Sequence, residues 1–249
     1  NATGKYTYFI DSDDFIETTY IEELVNITES QNVDLVCNVN ILKYYGRNDN
    51  RNKFIKSKKE FILDKKLDWN EKFMKKLPIS AWCKLYKTKI IKEHKIYFAN
   101  NRLKFEDFYF WYILKTSIKN IYIIYGSKYF YRQRNDSTMN LNKYKKNDCF
   151  DSIYIINLIY LYYKENDLLG KHSIPFSWLN KYFKKIHNKE KFFATIQDVF
   201  KKMNHDILIN KNIYKKRDIL FFNCILNSKN YMMFRIKYKI ATILSLLTF

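Results

Sequence analysis

Apolar and polar positions along this chain follow two periods, short runs first and helical repeats later. Tyr6 to Ile10 is an apolar, aromatic run that stops at four polar residues, Asp11 to Asp14. That is the pattern of a buried strand ending in an acidic loop. Thr18 or Thr19 can cap the helix that follows, with Glu22 and Glu23 in its first turn, where carboxylates suit the helix dipole. Ile21, Leu24, Val25 and Thr28 form its expected inner face. Val33 to Val39 predicts a second strand, and Gly46 to Asn52 a polar turn joining two edge strands. Leu67 to Leu77 predicts a helix stopped at Pro78. Ala81 to Tyr86 predicts a strand, Lys89 to His94 one or two helical turns, and Glu106 to Ile118 a helix whose aromatic face carries Phe108, Trp111 and Tyr112. Ile121 to Tyr125, Gly126, and Tyr129 to Arg132 read as strand, turn, strand. From Lys143 onward the pattern is helical. These elements predict an α/β domain over residues 1–140 and a helical extension over 141–249.

Composition narrows the classes. The chain has 249 residues, 47% hydrophobic and 18% aromatic, with Gly 4 and Pro 2. A sizeable core is feasible, and collagen-like, linker-like and disordered classes are excluded. The formal net charge of +20 favours anionic partners such as nucleotide phosphates, nucleic acid or an acidic membrane, without choosing among them. Cys37, Cys83, Cys149 and Cys224 lie far apart with no C-x-x-C spacing, so neither a zinc site nor a disulfide framework is expected. A reducing cytoplasm is the simplest setting. No run reaches the ~18 apolar residues that a membrane span needs.

Four segments can carry chemistry. Asp11-Ser12-Asp13-Asp14 places carboxylates side by side at the end of a buried strand, where ligands of α/β folds bind. Such hard oxygen donors suit Mg²⁺ or Mn²⁺ bridging diphosphate oxygens, although D-x-D runs also occur as ordinary turns. Trp82-Cys83-Lys84-Leu85-Tyr86 is either a core strand or a ligand-facing one. Phe105-Glu106-Asp107 opens the aromatic helix, where a carboxylate is either a plain cap or a general base held on a rigid element. Tyr131 to Thr138 puts Arg132, Arg134, Ser137 and Thr138 in one loop able to hold phosphate oxygens.

The order of these segments resembles glycosyltransferase family 2, the bacterial group that builds cell-surface polysaccharides. Its members carry "A-x-G-K-Y-I-x-F-L-D-S-D-D", which Ala2 to Asp14 follows closely. A "W-x-K-L-Y" segment, an "E-D-x-x-F" helix and a "Y-x-Y-R-x-R-x-x-S-x-S" loop come next, matching Trp82 to Tyr86, Glu106 to Phe110, and Tyr129 to Ser137. Met139 stands where a second Ser is common, and Thr138 can supply that hydroxyl. The resemblance covers about residues 1 to 140. The family's opening "V-S-I-I-I-P-x-Y-N" and "I-x-V-D-D-G-S-x-D" segments, which bind the nucleotide base and ribose, have no counterpart after Asn1.

The resemblance implies a GT-A fold, a mostly parallel sheet flanked by helices, here without its first strands. It implies an inverting, metal-dependent transferase moving a hexose or N-acetylhexosamine from a UDP-linked donor to a glycan or lipid-linked glycan acceptor. Asp13 would bind Mn²⁺ or Mg²⁺, and Asp11 would hold ribose or sugar and assist the metal. Asp14, Arg132, Arg134, Ser137 and Thr138 would line the diphosphate. Asp107 would be the general base, with Glu106 beside it, and Trp82 and Lys84 would meet acceptor or sugar. An isolated chain without the first strands is expected to be inactive. The rival reading is a non-catalytic basic module or scaffold; no nucleic-acid-binding signature supports a nucleic-acid partner. The basic and apolar mixture from Lys211 to Phe249 predicts attachment to the inner face of the cytoplasmic membrane.

Overall fold

The computed structural model describes residues 2–55, 64–68, 77–99, 103–134, 148–209 and 213–247. They form two compact units, one of residues 1–98 and 110–141 and the other of residues 99–109 and 142–249.

The first unit holds two sheets. In chain order its strands are β1 (Tyr6–Tyr8), β2 (Phe15–Ile16), β3 (Leu35–Asn38), β4 (Ile41–Tyr44), β5 (Lys53–Phe54), β6 (Lys65–Asp68), β7 (Lys84–Lys87), β8 (Asn120–Ile124) and β9 (Tyr129–Arg132). Helix α1 spans Tyr20–Gln31 and α2 spans Thr88–Glu93. The larger sheet has the order β1-β7-β3-β8-β6 and the smaller β2-β9-β4-β5. The larger sheet is mixed rather than mostly parallel. Strands β1, β3 and β8 share one direction, and β3 pairs with β8 in parallel. However, β7 is inserted between β1 and β3 in the opposite sense, and β6 runs antiparallel to β8. β3 is buried along its whole length, as its Leu-Val-Cys-Asn sequence with little charge requires.

Helix α1 buries Tyr20, Leu24 and Thr28, one residue per turn, and Ile21 and Val25 pack at the margin of the same cluster. Thr19 stands at its N-cap, but its hydroxyl bonds Ser127 Oγ at 2.9 Å instead of capping the helix. Four sequence expectations are corrected here. β4 is an interior strand, since it pairs with both β5 and β9. Leu67 and Asp68 lie in β6 and not in a helix, held by the ladder to β8; residues 69–76 of that expected helix lie outside the described residues. The Ala81–Tyr86 segment becomes regular strand only at Lys84, because Cys83 adopts a left-handed φ of 60°. The strand, turn and strand over Ile121 to Arg132 do not close as a hairpin: β8 and β9 belong to different sheets.

That last point defines the unit. Strand β3 passes into β4 through Val39 and Asn40, leaving the larger sheet for the smaller, and β8 passes into β9 through residues 125–128 in the same way. The two crossings run side by side, two residues against four. Val39 N donates to Ile124 O at 2.9 Å, and Tyr129 N donates to Asn40 O at 3.0 Å. Between them sit two buried asparagines. Asn38 donates to Ser127 O at 2.7 Å and accepts from Asn40 N at 2.9 Å; Asn40 Nδ2 donates to Gly126 O at 2.5 Å. The longer crossing bulges toward α1, where Glu23 accepts from Ser127 N at 2.7 Å. A Cβ on Gly126 would stand 2.3 Å from the Glu23 carboxylate, so a larger residue there would push that carboxylate off Ser127 N. Glu17 accepts from Lys128 N at 2.6 Å and from its ammonium at 2.9 Å, which holds Glu17 below the usual carboxylate range.

The second unit is helical. Its elements are α4 (Asp148–Glu165), a 3₁₀ helix (Phe176–Lys184), α5 (Lys189–Ile209), α6 (Lys216–Leu226) and α7 (Tyr231–Leu247). Helix α3 (Glu106–Leu114) divides between the units, its first turn counted with the helical one. Aromatic rings fill the helical core. Phe176 packs with Phe200, Tyr214 and Phe222, and Phe234 packs with Phe183, Phe193, Phe221 and Tyr238. Buried Asp218 accepts from Ser177 N at 2.7 Å and joins α6 to the 3₁₀ helix. All four cysteines are buried, and none is in a disulfide. Among the described residues no helix is long and apolar enough to cross a membrane.

Asn38→Ala should lower stability by about 2–3 kcal/mol, because it removes one donor and one acceptor from buried backbone partners. The urea midpoint should fall with an unchanged slope. An unchanged midpoint would show that the crossings hold without the asparagine.

Candidate functional site

Asp11 to Asp14 lie two residues past β1, a half-buried edge strand rather than the expected buried one, and Asp14 N closes the turn onto Asp11 O at 3.0 Å. The chain then enters β2, whose antiparallel register pairs Phe15 with Phe130 and Ile16 with Tyr129. The register carries the acidic loop to the far end of β9. Asp14 meets β9 directly: one carboxylate oxygen accepts from Tyr129 Oη at 2.6 Å, the other from Arg132 N at 2.8 Å. Burial raises the Asp14 carboxyl, against the lowering effect of those two bonds. Burial, reinforced by the bond to Asp14, pushes the Tyr129 hydroxyl well up. Asp13 pairs with Arg134, carboxylate oxygen to Nε at 3.0 Å, both partly exposed. Asp11 is exposed. Burial raises the Tyr131 hydroxyl, and the negative charges of Asp14, Asp11 and Asp13 add to that rise against the lowering effect of a hydrogen bond with Gln133.

Trp82 completes this surface. The left-handed backbone at Cys83 follows it, and its indole stacks on Tyr129 at 4.8 Å and 14° and on Tyr131 at 5.2 Å and 22°. Arg132 lies with its guanidinium 5.6 Å from the Phe15 ring centre. Phe15 itself stacks on Phe130 at 4.4 Å. Asp11, Asp13, Asp14, Trp82, Arg132 and Arg134 thus belong to one cluster of the sheet unit.

Lys84 is elsewhere. It is fully buried, its ammonium donating to Ser80 O at 2.5 Å and lying 5.0 Å from the Trp111 ring centre. This leaves it inside the unit rather than on a ligand-facing surface. Glu106 and Asp107 form the first turn of α3, Glu106 exposed and Asp107 half-buried. They are counted with the helical unit. Ser137 and Thr138 lie outside the described residues. Tyr129 and Tyr131 were not legible as site residues, because Tyr-Phe-Tyr reads as strand; the only signal was their alternation, which puts both tyrosines on one strand face.

The carboxylates can be tested as a cation site. Among the described residues no group of three or more His, Cys, Asp and Glu could hold a metal ion. Asp13 and Asp11 nevertheless fit a cation that takes one or two protein carboxylates and completes its shell with phosphate and water. Arg134 already answers the charge of Asp13.

Residues 1–95 match the model of glycosyl transferase family 2. No curated protein matches the chain in sequence. Among solved structures, the chain is similar to S. aureus TarS 1-349 in complex with UDP-GlcNAc, with a TM-score of 0.63 at 15% identity, covering 96% of this chain and 67% of that one. It is similar to TarS 1-349 in complex with UDP, at a TM-score of 0.58 and 14% identity, over 96% and 66% of the two chains. A longer TarS structure matches at 0.58 and 14% over 96% of this chain and 40% of its own. This chain therefore spans about two thirds of the shorter TarS structures and less than half of the longer one. At this identity the likeness is one of fold: a GT-A-like α/β architecture with mixed sheets, followed by a helical region. The family match is thus confined to residues 1–95, and the likeness to TarS extends the resemblance, in fold, over the chain.

Proposed function

We propose that this chain carries the catalytic residues of an inverting glycosyltransferase. The substrate reading is a UDP-linked hexose or N-acetylhexosamine donor and a glycan or lipid-linked glycan acceptor of bacterial surface polysaccharide synthesis. The observation that carries this reading is the Asp13–Arg134 pair beside Asp11 and the Trp82–Tyr131 stack. Cation-binding oxygens, a phosphate-binding guanidinium and a flat aromatic face lie together at one strand end. UDP-GlcNAc and UDP, each crystallised with TarS, support the choice of donor class.

Asp13 and Asp11 would hold Mn²⁺ or Mg²⁺, which when bound supplies positive charge to the donor diphosphate. Arg132 and Arg134 add guanidinium donors suited to phosphate oxygens. Asp14 keeps the loop on β9 through its two hydrogen bonds. Trp82, half-buried on Tyr129 and Tyr131, would meet the sugar ring. Asp107, on a rigid helical turn, takes the proton of the acceptor hydroxyl as that oxygen bonds to the anomeric carbon. The bond from that carbon to the diphosphate breaks in the same step, and the diphosphate leaves with the electron pair. Attack from the face opposite the leaving group inverts the centre. Glu106 orients Asp107 or meets the acceptor.

The reading of location rests on α7. Of the basic and apolar mixture read over Lys211 to Phe249, Phe221, Phe222 and Phe234 are core residues of the helical unit. The outward stripe is different. Met232, Ile236, Ile240 and Leu244 recur at four-residue spacing and are 72%, 57%, 52% and 57% exposed. Helical geometry puts Arg235 and Lys239 along one edge of the stripe and Lys237 along the other. No Asp or Glu follows Asp218. A basic-edged apolar stripe suits a helix lying in an anionic membrane surface, where each cation contributes about 1 kcal/mol. This supports peripheral placement on the inner face of the cytoplasmic membrane.

Asp13→Ala in the full-length protein should abolish Mn²⁺-dependent binding of UDP in calorimetry. Unchanged binding would remove Asp13 from the cation site, and the absence of metal-dependent binding in the unaltered protein would favour a non-catalytic basic module. Asp107→Asn should keep UDP binding but lower sugar transfer roughly 10²-fold or more, the effect of removing a general base. Near-normal turnover would exclude that role. Flotation with phosphatidylglycerol vesicles should be lost in the Ile236→Glu, Ile240→Glu variant and weaken with salt. Retained flotation would place the contact elsewhere, and a change in oligomeric state would assign the stripe to a second copy.

A further inference from the structure

The acidic turn that opens α3 is held from both sides by one tryptophan of the helical unit. Phe105 precedes Glu106 with a φ of 70°, a left-handed backbone rare for a bulky aromatic residue and sustained only where the surroundings impose it. Its carbonyl accepts from Phe108 N at 3.0 Å and Tyr109 N at 3.1 Å, which starts the helix. Its ring meets Trp178 edge-on at 5.2 Å and 88°, and Tyr182 at 5.4 Å. One turn later, buried Phe108 stacks on the same Trp178 at 4.1 Å and 20°. Glu106 and Asp107 lie between these two contacts.

Trp178 is itself fixed. It stands on the 3₁₀ helix and packs edge-on against Tyr182 at 5.1 Å. Lys181 lies over both rings, 4.6 Å from Trp178 and 4.9 Å from Tyr182, and burial lowers its ammonium. From α4, Asp151 accepts from Lys104 N at 3.2 Å and anchors the chain just before the strained residue. Two-point contact matters for a helix start. A single contact leaves the turn free to rotate or fray, since the first helical N–H groups have no partners within the helix. Contacts at residues 105 and 108 fix both the entry of the chain and the rotation of the first turn, and therefore the direction of the side chain at 107.

We propose that Trp178 is the positioning residue for Asp107, so that the helical unit sets the geometry of proton removal. The inference rests on the reading of Asp107 as general base. In this role Trp178 touches no substrate. It acts by holding a carboxylate in its working direction, where a displacement of about 1 Å can cost on the order of 10² in rate.

The test compares Trp178→Ala and Trp178→Phe in the full-length protein, alone and with Asp107→Asn, using UDP-GlcNAc as donor and following sugar release. Trp178→Ala should lower kcat roughly ten- to a hundredfold while leaving the donor KM unchanged, and Trp178→Phe should restore most of the loss. In the Asp107→Asn background, Trp178→Ala should cost nothing more, since groups that act as a unit are not additive. Amide hydrogen exchange should show lost protection confined to residues 103–109, a readout that needs no turnover. An unchanged kcat, an equal loss in both backgrounds, or lost protection across the whole helical unit would overturn the proposal. Full activity of Asp107→Asn alone would instead overturn the base assignment, whatever Trp178 does.

Discussion

Two buried asparagine side chains keep a pair of chain crossings in step, and the rest of the sheet unit is arranged around them. Strands β3 and β8 leave one sheet and enter another at the same place, and backbone polar groups there cannot all pair with each other. Asn38 and Asn40 supply the missing donors and acceptor. An apolar pair of the same size would leave Gly126 O, Ser127 O and Asn40 N buried without these partners, a cost comparable with a large share of a domain's net stability. The register of the smaller sheet is set here. Tyr129 N to Asn40 O is its first bond, and the parallel pairing of β4 with β9 runs on from it.

From that register the candidate site follows by geometry. β9 is pinned at Tyr129, so Arg132 and Arg134 fall opposite the loop that precedes β2. Net charge and local charge differ there. The chain as a whole is strongly cationic, yet three carboxylates gather at one strand end. Long-range attraction draws anionic ligands toward the protein, while the loop itself repels them unless a cation or guanidinium intervenes. Arg134 on Asp13 is the local answer within the chain. The combination suits a ligand that is anionic at one end and travels with a divalent ion.

Much of this was legible in sequence, and the exceptions have physical causes. The acidic loop was readable because Tyr6 to Ile10 ends abruptly in four polar residues. Helix α1 was readable from its spacing and early glutamates. The α/β class followed from the same period changes. The two-residue strand β2 was invisible, since Phe15-Ile16 is too short to show a period. The separation of β8 from β9 was hidden because a turn between strands looks alike whether it closes a hairpin or bridges two sheets. Lys84 was misplaced in expectation: a charged residue in a "W-x-K-L-Y" segment suggests a surface, whereas its ammonium lies on a carbonyl and an indole face in the interior. Trp178 carried no signal at all, because its partners are some seventy residues upstream.

Asp14 has a consequence beyond its place in the loop. Both its oxygens are engaged by β9, so residues 11 to 14 hold their shape before any ligand arrives. Fixing one residue of a free loop costs about 1–2 kcal/mol of conformational entropy, and here that loss accompanies folding instead of binding. A ligand meeting a preorganised loop keeps more of its interaction energy as affinity. The same arrangement holds the loop's carboxylates in place when a charge approaches, so that little of the electrostatic interaction is lost to reorientation.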